Sequence, residues 1–313
     1  MAKKLLDIEK LDESFIRRAQ GVDKLPIAVV HPCSQDSLTG AVEAAQLGII
    51  EPILVGPKEK IVALATEFDI KIDNYEIVDV KHSHDSVERS ISLIHAGRAK
   101  ALMKGSLHTD ELMKGVLSKS TGLRTERRIS HIFLMARETY HKPFIITDAA
   151  ININPDLMTK RDILQNAIDV MHILYPDLMP KVGILSAIEM INPNIQSTID
   201  AACLCKMAQR DQIRGAIVDG PFAYDNILSV KAAKTKNISS PVIGDVDIYL
   251  VPNLEAGNML AKQLVYLTDA WSAGMLLGAQ VPIILTSRSD GVRSRISSCV
   301  IAALMAQAKT ILK

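Results

Sequence analysis

The chain has 313 residues, 48% of them hydrophobic but only 4% aromatic, with 36 basic against 35 acidic side chains. That length and composition suit two ordinary domains with an aliphatic core of Ile, Leu, Val, Ala and Met. The near-neutral balance excludes the broad basic footprint of a nucleic-acid or anionic-membrane binder.

The first residues, Met1-Ala2-Lys3-Lys4-Leu5-Leu6-Asp7, turn acidic at once, so no signal peptide is expected. No apolar run reaches membrane-spanning length. Cys33, Cys203, Cys205 and Cys299 are too sparse for a disulfide framework, and Cys203 and Cys205 diverge on a predicted helix. They read as reduced, buried thiols of a cytoplasmic protein. His82 and His84 are the only close histidine pair; their polar setting argues against a metal.

In chain order, residues 27–30 predict a strand that stops at His31-Pro32-Cys33-Ser34, and 37–47 a helix closed by Gly48. Strands follow at 52–56, 75–80 and 101–103, with helices between them through Phe68 and at 86–97. Later strands are predicted at 144–147, 182–185, 215–218, 248–251 and 281–285, and helices at 160–174, 195–210, 254–267 and 292–309. This alternation argues for an α/β fold whose mainly parallel sheets are covered on both faces. No repeat and no Gly/Ser/Pro linker divides the chain. Two domains sharing a close interface are therefore expected, 1–142 plus 291–313 and 143–290.

Several strands end in polar or glycine-bearing turns. The run 281–286 delivers Ser287-Arg288-Ser289-Asp290-Gly291 to a strand's C-terminal end, ahead of a helix start. That is where open α/β sheets bind ligands and where unpaired N–H groups suit an anion. An ordinary Ser-Asp helix cap beside a surface arginine is the competing reading. Lys104-Gly105-Ser106 leads through Thr109 into a helix, and is either a site of close backbone approach with a positive charge or a plain helix start with a solvated lysine. Arg124, Arg127 and Arg128 are three guanidiniums within five residues. They suit phosphate oxygens, including a nucleotide's 3′-phosphate, or form a solvated face part-neutralised by Glu126. Asn253 is a credible N-cap with Glu255 in the first turn. Gly257 inside a helix implies a close neighbour. A P-loop, a G-x-G-x-x-G after a strand and a G-x-S-x-G elbow are all lacking, so nucleotide hydrolysis, the ordinary dinucleotide fold and a Ser-His-Asp hydrolase have no support.

As a set, Met103-Lys104-Gly105-Ser106 with Thr109, residues 144–155 around Asp148-Ala149-Ala150-Ile151-Asn152, Asp219 to Asn226, Gly244-Asp245-Val246-Asp247, Pro252 to Asn258 and Ser287-Arg288-Ser289-Asp290 resemble the phosphate acetyl/butyryltransferase family. The resemblance runs in order from about Val30 to the C-terminus. The wording around Lys104 to Thr109 and Arg124 to Arg128 is similar to a branch often fused behind an enoyl-CoA hydratase domain; no hydratase segment is read here. The resemblance implies two three-layer α/β/α domains with a cleft between them, the architecture of isocitrate and isopropylmalate dehydrogenases, usually as a homodimer. It implies reversible acyl transfer between coenzyme A and phosphate, with no permanently bound cofactor. Ser287 and Arg288 align with the pair that contacts the reacting groups. Lys104, Ser106, Thr109, Arg127, Arg128, Asn253 and Asn258 are the candidate substrate contacts. The acetyl branch places a carboxylate seven residues beyond the serine, as base for the thiol; here Ser294 stands in its place.

The chemistry follows from the residue types as well. Phosphate attack on a thioester builds negative charge beside an already dianionic nucleophile. Arg288 can hold phosphate and offset that charge, and Ser287 can donate to the developing oxyanion. In reverse the thiol must lose a proton; Asp290 is the candidate to orient or accept it, or is only a helix cap. An acetyl-CoA:phosphate acetyltransferase is the main expectation, with a butyryltransferase as the nearest alternative. The others are an NAD(P)- and metal-dependent dehydrogenase on the same architecture, for which Asp245 and Asp247 alone are insufficient, and a non-catalytic acyl-CoA-binding protein.

Overall fold

The structure is a computed structural model and describes residues 5–287 and 290–311. By its internal contacts the chain divides into two compact units, Glu9–Arg127 with Ser272–Lys313, and Met1–Ile8 with Arg128–Trp271.

The first unit opens with α1 (Ile8–Gln20), then alternates β1 (Leu25–Val30), α2 (Gln35–Gln46), β2 (Ile50–Gly56), α3 (Lys58–Glu67), β3 (Glu76–Asp79), α4 (Ser83–His95), β4 (Ala101–Lys104) and α5 (Thr109–Val116). The second unit runs β5 (Ser130–Ala136), β6 (Phe144–Thr147), α6 (Leu157–Leu174), β7 (Lys181–Leu185), α7 (Gln196–Gln209), β8 (Ile217–Phe222), the short α8 (Tyr224–Leu228) and α9 (Val230–Thr235), β9 (Ile248–Leu250) and α10 (Leu254–Thr268). The chain then completes the first unit with β10 (Trp271–Leu277), β11 (Ile283–Ile284) and α11 (Val292–Ile311).

In the first unit the strand order is β3-β2-β1-β4-β11-β10, parallel throughout except that β10 runs against β11. In the second it is β5-β6-β9-β7-β8, again parallel except for β5 against β6. Strands buried on both faces read as unbroken apolar runs, and Ile27, Ala28, Val29 and Val30 of β1 are all fully buried. The few aromatics gather in the second unit, where Phe144 meets Tyr140 and Tyr249 edge-on at 5.4 and 5.5 Å between ring centroids.

Two strands lie outside the sequence expectation, β5 and β10. Each is followed by its antiparallel neighbour with no helix between, so a search for strand–helix alternation passes over them. The same pairings set the unit boundaries. Ile132↔Thr147 and Met135↔Phe144 tie residues 130–136 to β6, and Met275↔Ile284 ties β10 to β11. Segments 128–142 and 272–290 thus belong to the opposite units from those implied by crossings near Pro143 and Gly291. Strand β8 also extends further than expected, through Asp219-Gly220-Pro221; as the edge strand it tolerates proline's missing N–H. All four cysteines are free, but only Cys299 is buried; the other three are half-buried. Gly48, at φ +77°, closes α2 as expected.

Asp245 and Asp247 precede β9, at the end of the second sheet opposite the strand C-termini. Asp245 takes Lys181 Nζ at 2.6 Å, His141 Nε2 at 2.7 Å and Lys142 Nζ at 3.2 Å. Lys142 also reaches Asp247 at 2.7 Å, and Asp247 accepts the Lys181 backbone N–H at 2.8 Å. Burial pushes the Asp245 carboxyl upward, but the hydrogen bonds from Lys181 and His141 and the Lys142 charge outweigh it and hold the group well below the usual carboxylate range. A depressed native pKa contributes stability above the unfolded value, about 3.9, and loses it as pH falls from there. Asp245→Asn should therefore lower Tm at pH 7 by about 2–4 °C, the shift that about 1 kcal/mol makes in a domain of this size. Calorimetry from pH 7 to pH 3 should show the gap to wild type closing below about pH 4; a gap that stays constant contradicts this role.

Candidate active site

In the first unit, parallel register brings three strand ends to one level: Val30 pairs with Lys104 and Met103 with Ile284. The chains leaving these ends are stitched together. Gly105 N–H donates to Val30 O at 2.9 Å, and both the N–H and Oγ of Ser106 donate to His31 O, at 2.9 and 3.1 Å. Gly105 is required by that approach, because a Cβ there would lie 2.4 Å from the carbonyl oxygens of both Val30 and His31. His31 itself sits at φ +55°, uncommon for a residue with a side chain, and its Nδ1 lies 3.3 Å from Ser86 Oγ. Burial, reinforced by the Lys60 charge, lowers the pKa of its imidazole. Lys104 is buried at 3% exposure, with Nζ 3.5 Å from Gly105 O, which disposes of the solvated-lysine reading. Thr109, half-buried, is the first residue of α5.

From the neighbouring strand end, Thr286 is buried and Ser287 exposed. Ser287 N–H donates to Asp290 Oδ2 at 2.6 Å, and Asp290 N–H returns to Ser287 O at 3.2 Å. The Asp290 carboxylate is thus bonded to the Ser287 backbone. Arg288, with Ser289, lies outside the described residues. Ser294, at the position where the acetyl branch carries a carboxylate, faces Ser272 Oγ at 3.4 Å. Arg295 is buried, donating to Thr286 Oγ1 at 2.8 Å and to Ser287 O at 3.1 Å. Sequence reasoning passed over it, although a signal existed: Arg295 lies four residues before the fully buried Cys299 and seven before Ala302, on the apolar stripe of its helix.

The arginine cluster is anchored from its middle. Thr125 Oγ1 donates to Gly278 O at 2.6 Å and accepts Arg127 N–H at 3.2 Å. The Arg124, Arg127 and Arg128 side chains are exposed. In the second unit the Arg128 backbone is held by Asp162 and Asn166, at 3.1 and 2.9 Å.

The second unit builds its own strand-end loop after β6. Asp148, 2% exposed, accepts from the backbone N–H groups of Ala150, Ile151 and Asn152 and from Asn152 Nδ2, at 2.6–3.2 Å. Asn258 Nδ2 donates to Ala149 O at 3.1 Å, and Gly257 presses against Ala149, where a Cβ would stand 3.1 Å from its Cα. Asn253 Oδ1 accepts Ala256 N–H at 3.0 Å, the expected cap of α10. A depression of about 580 Å³ opens beside Asn253, with Asn154, Asp156 and the buried Lys160–Asp200 ion pair (2.6 Å) in its wall. Asp219 is half-buried, and its Oδ1 accepts the Gly220 N–H at 2.8 Å. Burial, together with that carboxylate, pushes the Cys205 thiol up to about 12.

Two glycine-dependent, polar strand-end loops on mainly parallel sheets mark an α/β protein of the kind whose ligands bind at the carboxyl ends of its strands. Residues 81–303 match the model of the phosphate acetyl/butaryl transferase family, and the chain belongs to that family. It is 54% identical over 302 residues to the phosphate acetyltransferase of Rickettsia prowazekii (strain Madrid E), covering 96% of this chain and 86% of that protein. Identity to the phosphate butyryltransferase of Clostridium acetobutylicum is 36% over 292 residues, covering 93% and 97%. Among solved structures, the branched-chain phosphotransacylase of Enterococcus faecalis V583 superposes with a TM-score of 0.76 at 27% identity, covering 90% of this chain and 99% of that one. No helix among the described residues is long and apolar enough to cross a membrane.

Gly105→Ala tests the strand-end stitching. Two carbonyls that must retreat from a new methyl should cost about 1–3 kcal/mol, seen as a drop in the urea midpoint with an unchanged m-value. An unshifted midpoint contradicts the close approach.

Proposed function

We infer that this chain is a phosphate acetyltransferase: it moves an acetyl group reversibly between acetyl-CoA and inorganic phosphate, giving acetyl phosphate and free coenzyme A. What carries the reading is the family membership together with the higher identity to a relative named for acetyl than to one named for butyryl transfer. In the forward step an oxygen of hydrogen phosphate attacks the thioester carbonyl, the C–S bond breaks, and the leaving thiolate takes up the proton that hydrogen phosphate gives up on becoming acetyl phosphate. Phosphate near neutral pH is largely dianionic, so the barrier is set by charge and not by making a nucleophile. Arg288 is assigned to hold phosphate and offset the accumulating charge, and Ser287 to donate to the oxyanion from its exposed position.

Asp290 is assigned to orient Ser287, since its carboxylate already accepts that residue's N–H. With Ser294 in place of a carboxylate, no residue is assigned as base for the thiol. Lys104 places a buried amine at the same strand ends, close in sequence to Ser106 and Thr109. The exposed guanidiniums of Arg127 and Arg128 suit the phosphates of coenzyme A. Asn253 and Asn258 would act through the loops they hold. Asp245 and Asp247, which a metal-dependent dehydrogenase would draw on, are instead paired with Lys142, Lys181 and His141. The free thiols suit the reducing cytoplasm. Exposed Met190, Ile191, Tyr266 and Leu267 of the second unit support a homo-oligomer, and light scattering should give a mass of at least twice the chain's 34.2 kDa. A monomer at micromolar concentration would remove that part.

The deciding assay is thiol release from acetyl-, propionyl- and butyryl-CoA with and without phosphate. Release should need phosphate, survive a chelator without nicotinamide, and be fastest with acetyl-CoA; faster release from butyryl-CoA moves the reading to the butyryl branch. Arg288→Ala should lower kcat by at least roughly a hundredfold, the scale of one lost charge-stabilising donor. Near-normal turnover by a folded Arg288→Ala protein removes the role given to that residue.

A further inference from the structure

Arg295 stands in the first turn of α11 with 2% of its surface exposed. Burying a guanidinium is costly, and an apolar side chain of similar size fills such a space more favourably. Among the described residues it has no carboxylate within ion-pairing distance; Asp290 and Asp36 act on it only through their fields. Its hydrogen bonds go to one segment instead, Nη1 to Thr286 Oγ1 and Nη2 to Ser287 O. Its stem is wedged against α2, where a Cβ on Gly40 would come within 2.9 Å of Arg295 Cβ and 3.0 Å of Cδ. Ser287 is therefore gripped at both ends of its backbone, the N–H by Asp290 and the C=O by Arg295.

We propose that Arg295 is a positioning residue for acyl transfer: it clamps the peptide of Ser287 so that the hydroxyl stays aimed at the reacting carbonyl. This rests on the reading of the Ser287 loop as the acyl-transfer site. The clamp acts on orientation and leaves the substrates' own contacts in place. Its loss lowers kcat while the KM values hold, and misplacement of this kind costs roughly tenfold to a hundredfold.

The test compares Arg295→Ala, Arg295→Lys and Gly40→Ala, each checked by circular dichroism for native folding. Arg295→Ala should lose kcat on that scale with KM for acetyl-CoA and phosphate within about twofold of wild type. Arg295→Lys, which keeps a donor, should recover part of the rate. Gly40→Ala, which displaces the arginine stem without touching its charge, should reproduce part of the loss. Added guanidinium should raise turnover of Arg295→Ala where equal sodium chloride does not. A folded Arg295→Ala protein with kcat within about twofold of wild type overturns the proposal, as does a loss shared by kcat and KM with no guanidinium rescue. Should wild type release no thiol at all, the functional reading falls instead. Amide exchange at Ser287 then decides the clamp: faster exchange in Arg295→Ala supports it, unchanged exchange overturns it.

Discussion

Parallel pairing of β1, β4 and β11 is the constraint on which the candidate site depends. Register brings Val30, Lys104 and Ile284 out at one level, and the next residues must then turn away from each other or share space. They share it, with Ser106 bonded through its backbone and hydroxyl to His31 O across a gap that only glycine permits. The sheet thus sets where these strand ends emerge, and the Ser287 backbone is then held by Asp290 and Arg295.

The second unit solves a similar problem with a buried carboxylate and two side-chain amides. Asp148 gathers the N–H groups of the turn after β6, while Asn258 and Gly257 bring α10 against that turn. A buried carboxylate needs such donors, since an unmet one costs more than any single contact returns. These residues tie the loop to α10. The Gly244 to Asp247 segment serves at the far end of the same sheet, where Lys142, Lys181 and His141 surround its carboxylates. Segments that resemble one family together therefore divide between strand-end loops and structural staples.

Much of the architecture was legible in the residues. Runs such as Ile27 to Val30 and Phe144 to Ile146 are apolar throughout because both faces of their strands are covered, and both form strands. Gly257 announced tight neighbours, and Val251 and Ala149 are those neighbours. Asn253 announced a cap and makes one. Strands β5 and β10 were not legible, because each pairs antiparallel with the strand that follows and no helix lies between to mark the alternation. The unit boundaries were hidden for the same reason: pairing sets them, and no linker composition marks them.

The order of motifs, the residue types that suit phosphate and thioester chemistry and the α/β class were all determined by the sequence alone, since they depend on local periodicity and functional groups. Only the tertiary structure decided which polar groups are already engaged. It showed Lys104 buried, Asp290 bonded to the Ser287 backbone, Asp245 ringed by cations, and Arg295 turned from an apolar helix face toward Thr286 and Ser287. The physical reason is that burial and partnership are properties of chain segments far apart in sequence, brought together by register and packing, which no local pattern records.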